Sequence, residues 1–144
     1  SERASQNRVV RLLTGPLGYT YLGNWQHREG NAGIETGLLR DWLLRRGVSD
    51  SLVTRALTKL QDAATIGGGR TLYDANRDVY TLLRYGVSVK DDGADHTSTV
   101  WLIDWKNPLD NDFAVAEEVT VHGHYEKRPD VVVYVNGLAL AVLE

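Results

Sequence analysis

Through the first half of the chain, apolar residues recur at helical spacing; after Gly86 they come in short runs rich in β-branched and aromatic residues. Residues 1–14 predict a helix, with Ser1 as its cap and Val9, Val10, Leu12 and Leu13 on one side, interrupted by Gly15-Pro16. Residues 19–22 predict a short strand, and the glycine- and asparagine-rich stretch 23–33 a loop. A helix is expected over 35–46, where Leu38, Leu39, Trp42 and Leu43 share a face and Gly47 follows Arg45-Arg46 as a stop. A second is expected over 49–64, with a stripe of Leu52, Val53, Ala56, Leu57 and Leu60, so that 35–64 forms a helical hairpin. Gly67-Gly68-Gly69 breaks the chain before a further helix at about 71–84. Strands are expected at 87–89, 99–105, 113–121, 131–135 and 139–143, with Asn136-Gly137-Leu138 turning the last pair. Helices followed by a meander of strands predict an α+β domain.

Composition narrows the classes. With 144 residues, 42% apolar and 24% charged, the chain can bury a real core, which excludes global disorder. It has no cysteine, so disulfides and Cys-based zinc sites are excluded, as suits a cytoplasmic location. Its apolar runs, such as Val131-Val132-Val133, are far too short to span a membrane, and residues 1–20 lack the apolar centre of a secretory signal. Net charge is −3, from 16 Lys+Arg against 19 Asp+Glu. That argues against a free-standing nucleic-acid binder but not against a metal-dependent nuclease, whose site needs carboxylates.

The chemistry concentrates in residues 128–144. Arg128-Pro129-Asp130 enters an apolar strand, an Asn-Gly turn reverses it, and the next strand ends at Glu144. Two carboxylates at the mouth of neighbouring strands can share one Mg²⁺, which takes few protein ligands and keeps several waters. Register decides whether they do. A strict two-residue loop pairs Asp130 with Leu143 and sends Glu144 to the other side of the sheet. A three-residue loop at 136–138 places Asp130 opposite Glu144, and one at 135–137, with Gly137 in a bulge, leaves them diagonal on one face. The competing reading is an ordinary exposed hairpin with charges at its ends.

The segments Asn111-Asp112-Phe113, Glu117-Glu118-Val119-Thr120-Val121, Arg128-Pro129-Asp130 and Val135-Asn136-Gly137-Leu138 resemble the N-terminal region of the restriction (R) subunit of type I restriction endonucleases. Ser1-Glu2-Arg3, Gln6-Asn7-Arg8-Val9, Leu17-Gly18-Tyr19, Leu22-Gly23-Asn24-Trp25 and Leu83-Arg84-Tyr85-Gly86 extend the resemblance over nearly the whole chain. It implies a restriction-endonuclease-like core of the PD-(D/E)xK type, a mixed sheet flanked by helices. Residues 1–144 would be the N-terminal portion of that nuclease domain, with the hairpin 35–64 inserted. It implies Asp130 as the first motif acid and Glu144 as the second, both catalytic and both metal ligands, with Glu2 on the first helix as a further catalytic acid. The motif lysine would lie two positions after Glu144, so residues 1–144 alone are expected to cleave little DNA; a terminal Leu143-Glu144 could equally be a cloning remnant. The implied activity is Mg²⁺-dependent cleavage of double-stranded DNA. ATP would be used for translocation by a motor elsewhere in the parent, and the modification and specificity subunits would be partners.

Other features carry less. Lys127 and Arg128 could touch DNA phosphate near the scissile bond or could sit in a solvated turn. His122 and His124, with Glu126 following, could bind a transition metal or face solvent; His27 and His96 fall in loops. Arg40, Arg45 and Arg46 suit the cation-favouring end of a helix. One of Glu117 and Glu118 is expected to face inward. Trp101, Ile103 and Trp105 alternate and are expected to face the core, with base stacking as the alternative. Gly67-Gly68-Gly69 lacks the Lys-Ser/Thr of a phosphate loop, and nothing suggests a Ser-His-Asp triad. Two rival functions remain: a structural or docking module of a restriction or helicase complex, contacting partners through 35–64, and a lone nuclease with no motor.

Overall fold

The computed structural model describes residues 1–121 and 128–144. In chain order its elements are α1 (Glu2–Thr14), β1 (Thr20–Asn24), α2 (Thr36–Arg45), α3 (Asp50–Ala64), α4 (Leu72–Tyr85), β2 (Val87–Val89), β3 (Ser98–Val100), a 3₁₀ turn (Pro108–Asp110), β4 (Phe113–Glu117), β5 (Val131–Val135) and β6 (Leu138–Leu143). The chain divides into two compact units, one of residues 1–35 and 111–144, the other of residues 36–110. The expected α+β class with a mixed sheet is what the structure has.

The first unit is a four-stranded sheet in the order β1-β4-β5-β6. The β1–β4 pair is parallel and the other two pairs are antiparallel. A parallel neighbour requires a long crossover, and residues 36–110 supply it in sequence. The run of four valines and Tyr134 in β5 fits a central strand covered on both faces. Ala114, Ala116, Val119, Val132 and Tyr134 form a buried cluster to which Leu22, Trp25 and Ala139 add. Helix α1 begins at Ser1, whose hydroxyl accepts from the Ala4 N–H, and ends at Gly15. It lies on the sheet through Gln6, its buried residue.

The second unit packs α3 against α2, α4 and β2. Leu39, Trp42 and Leu43 of α2 and Val53, Ala56, Leu57 and Leu60 of α3 are buried, as their spacing predicts. Thr71 and Asp74 close a capping box on α4, satisfying two N–H groups that a helix start leaves open. Asp74 is held below the usual carboxylate range, mainly by those hydrogen bonds from Thr71.

Two strand expectations need correction. Residues 99–105 do not form one strand: β3 stops at Val100, Leu102 and Ile103 are both buried, and Trp101 and Trp105 are 45% and 50% exposed. The Asp104 carboxylate accepts from the backbone N–H groups of Lys106 and Asn107 and so turns the chain there. Likewise β4 ends at Glu117 rather than at 121, because Glu118 takes a left-handed φ of 52°. Among the described residues, no helix is long and apolar enough to cross a membrane.

Candidate functional site

The β5–β6 turn has only two residues, Asn136 and Gly137, with Val135 paired to Leu138. Both turn residues have positive φ, 51° and 85°, which suits the right-handed twist of a hairpin. Uninterrupted, that register would turn Glu144 away from Asp130. It slips once instead. Tyr134 pairs with Ala139 but Val133 pairs with Ala141, so Leu140 is an extra residue. Pairing then runs through Val132↔Val142 and Val131↔Leu143, and the next position outward sets Asp130 opposite Glu144.

Asp130 and Glu144 line one open cleft of about 270 Å³. The first two turns of α1 supply its other wall, through Glu2, Gln6 and Val9. These fall at helical spacing on one face, so the helix that carries Glu2 brings Gln6 with it. All three acids proposed from the sequence therefore meet at one cleft.

Behind them lies a polar layer that the sequence does not advertise. The Gln6 amide donates from Nε2 to Glu117 Oε2 at 2.7 Å and to the Asp130 carbonyl at 3.4 Å. The Tyr21 hydroxyl donates to Glu117 Oε1 at 2.8 Å. Burial, then the bond to Glu117 and its charge, pushes the Tyr21 hydroxyl up to about 12. The Asp130 carbonyl also accepts from the Glu118 N–H at 2.9 Å. The backbone of Asp130 is thus held from α1 and from the end of β4, which fixes where its carboxylate stands.

Glu117 and Glu118 are both buried, not one of them. The left-handed turn at Glu118 breaks the strand alternation that would have sent its side chain out. Its carboxylate pairs with Arg128 at 3.1 Å and with Arg3 at 3.8 Å. Arg128, a candidate DNA contact, is therefore anchored through Nε while its side chain stays half exposed. Lys127, His122, His124 and Glu126 lie outside the described residues. His27 and His96 are exposed. Arg40 pairs with Asp50, and Arg46 pairs with Asp104 while lying over the Trp42 ring, which gives both a structural role.

The family model for the N terminus of the type I restriction enzyme R protein matches residues 1–144. The chain belongs to that family. A relative from Methanocaldococcus jannaschii, named "Putative type I restriction enzyme MjaIXP endonuclease subunit", is 39% identical over 71 residues. That match spans 45% of this chain and 7% of the relative's length. No solved structure matches.

For an R-protein N-terminal region, the chemistry of the cleft is oxygen chemistry. Among the described residues, no three His, Cys, Asp or Glu side chains stand close enough to enclose an ion by themselves. Two facing carboxylates suit Mg²⁺, which binds through one or two carboxylates and completes its shell with water. They suit zinc poorly, since no Cys and no described His joins them.

Proposed function

We propose that this chain carries the front part of the nuclease site of a type I restriction subunit, which cuts double-stranded DNA with Mg²⁺. The observation that carries the reading is the bulge at Leu140, which sets Asp130 and Glu144 opposite each other on the cleft that Glu2 lines. In this reading Asp130 and Glu144 would hold the cation, and Glu2 would orient a water from the helix. A bound cation supplies activation of water and stabilisation of the charge that develops on the departing oxygen. Gln6 and the backbone of Glu118 keep Asp130 in place, and Arg128, together with Lys127, steadies a DNA phosphate. Residues 1–35 and 111–144 form the nuclease portion, and the hairpin of α2 and α3 belongs to the insertion between β1 and β4. In the whole enzyme, DNA cleavage is coupled to ATP-driven translocation by a motor in the same parent chain. The modification and specificity subunits are its partners there, in the cytoplasm.

Titration of Mn²⁺ or Mg²⁺ into the 144-residue chain, read by calorimetry, tests the donor set. One ion is expected to bind per chain, and Asp130→Ala and Glu144→Ala should each weaken it at least about 10-fold with the far-ultraviolet circular dichroism unchanged. Equal binding by wild type and both variants would remove these two residues from the site.

A further inference from the structure

The second unit holds a cleft of another character. It encloses about 450 Å³ and is lined by Arg46, Arg84, Trp101, Asp104, Trp105 and Lys106. Three cations thus face one carboxylate, in a chain whose net charge is −3. The Asp104 carboxylate is already engaged, by Arg46 at 3.0 Å and by the backbone N–H groups of Asn107 and Lys106 at 2.8 and 3.1 Å. Those bonds hold it below the usual carboxylate range, the Asn107 N–H most of all. Among the described residues, neither Arg84 nor Lys106 has a carboxylate partner.

Both indoles are open to water. Trp105 donates from Nε1 to the Leu83 carbonyl at 2.9 Å, and the Arg84 guanidinium stands 5.8 Å from its ring centre. Trp101 leans on Gly86, where a Cβ would come within 3.4 Å of the ring and 2.5 Å of the Thr99 methyl. Gly86 also has a φ of 81°, so the position accommodates glycine on both counts. Half-exposed tryptophans beside cations without a carboxylate partner form a surface for a ligand that is flat and anionic together.

We infer that this cleft binds an unpaired nucleotide of a single strand, its base stacked on Trp101 and its phosphate beside Arg84 and Lys106. A cleft of this size takes one nucleotide, and base-aromatic stacking needs a base whose face is free, which a duplex interior does not offer. This site shares no residue with the Asp130–Glu144 cleft and does not depend on the nuclease reading.

The test is tryptophan fluorescence and anisotropy of the 144-residue chain titrated with labelled oligo-dT or oligo-U in EDTA, which removes any metal chemistry. Blunt duplex and heparin are the comparators. Wild type should bind the single strands more tightly than the duplex, with indole quenching. Trp101→Ala should weaken that binding between about 5- and 150-fold, the range for loss of one stacked base. Arg84→Gln should lower the salt slope by about 0.7. Binding of either sugar supports the site, and the stronger one names its source. Should Trp101→Ala not fold, Trp101→Leu keeps the apolar contact with Gly86 and removes the indole face. The inference is overturned by absence of single-strand binding, by equal binding of duplex or heparin, or by folded Trp101 variants that bind like wild type.

Discussion

Asn136→Ala is expected to destabilise the protein by about 3 kcal/mol and to loosen the hairpin that brings Asp130 to Glu144. Asn136 is fully buried with a φ of 51°. Its Oδ1 accepts from the Asp112 N–H at 2.7 Å, and its Nδ2 donates to Asn111 Oδ1 at 2.9 Å. Its own N–H donates to the Asp112 carbonyl at 2.8 Å. Alanine in the left-handed region costs about 1 kcal/mol or more. Losing the part-buried bond from the Asp112 N–H and the buried bond to Asn111 adds roughly 1–3 kcal/mol. Asn136→Gly relieves only the backbone part, so it should lie between wild type and Asn136→Ala in urea unfolding. If Gly and Ala proved equal and both cost under about 0.5 kcal/mol, the side chain would not be holding the turn.

Trp42→Ala should cost more, about 4 kcal/mol, and lower the melting temperature by about 15 °C. Trp42 is 1% exposed between Leu39 and Leu43 on the buried face of α2. Its indole N–H donates to the Asp110 carbonyl at 3.1 Å, and Arg46 lies 4.5 Å over the ring. Removing the ring leaves a cavity that the fixed helix cannot close, an unpaired carbonyl, and an arginine stripped of its aromatic floor. Trp42→Phe keeps most of the volume and should recover about half of the loss. Differential scanning calorimetry of both variants checks the pair. A loss below about 1 kcal/mol for Trp42→Ala would mean that α2 does not depend on this residue.

How much of this was legible in the chain differs by element. The buried stripes of α2 and α3 follow from apolar spacing, because a helix presents residues three and four apart on one side. The family followed from particular segments, of which Arg128-Pro129-Asp130 and Asn136-Gly137 also mark the site. The register of β5 on β6 did not follow. The sequence allowed a two-residue or a three-residue loop, and the structure uses the two-residue turn with a correction three residues past it, at Leu140. A bulge depends on sheet twist and packing, and Leu140 among apolar neighbours gives no local sign of it. Alternation in a short apolar run imitates a strand, so the pattern points Trp101 and Trp105 to the core, whereas both are half exposed. The sign against it was Asp104 ahead of Asn107-Pro108, an acid placed to accept the N–H groups of its own turn. Gln6 was hidden because a buried glutamine looks like any surface residue until its partners Glu117 and Asp130 are in place.

The most direct test of the central claim uses the full restriction subunit assembled with its modification and specificity partners. Wild type and Asp130→Ala are compared for DNA-stimulated ATP hydrolysis and for plasmid cleavage in Mg²⁺. Loss of cleavage with ATP hydrolysis retained is the predicted result, since Asp130 would then belong to a nuclease site separable from the motor. Cleavage at the wild-type rate by Asp130→Ala would contradict the assignment and leave this domain a docking module.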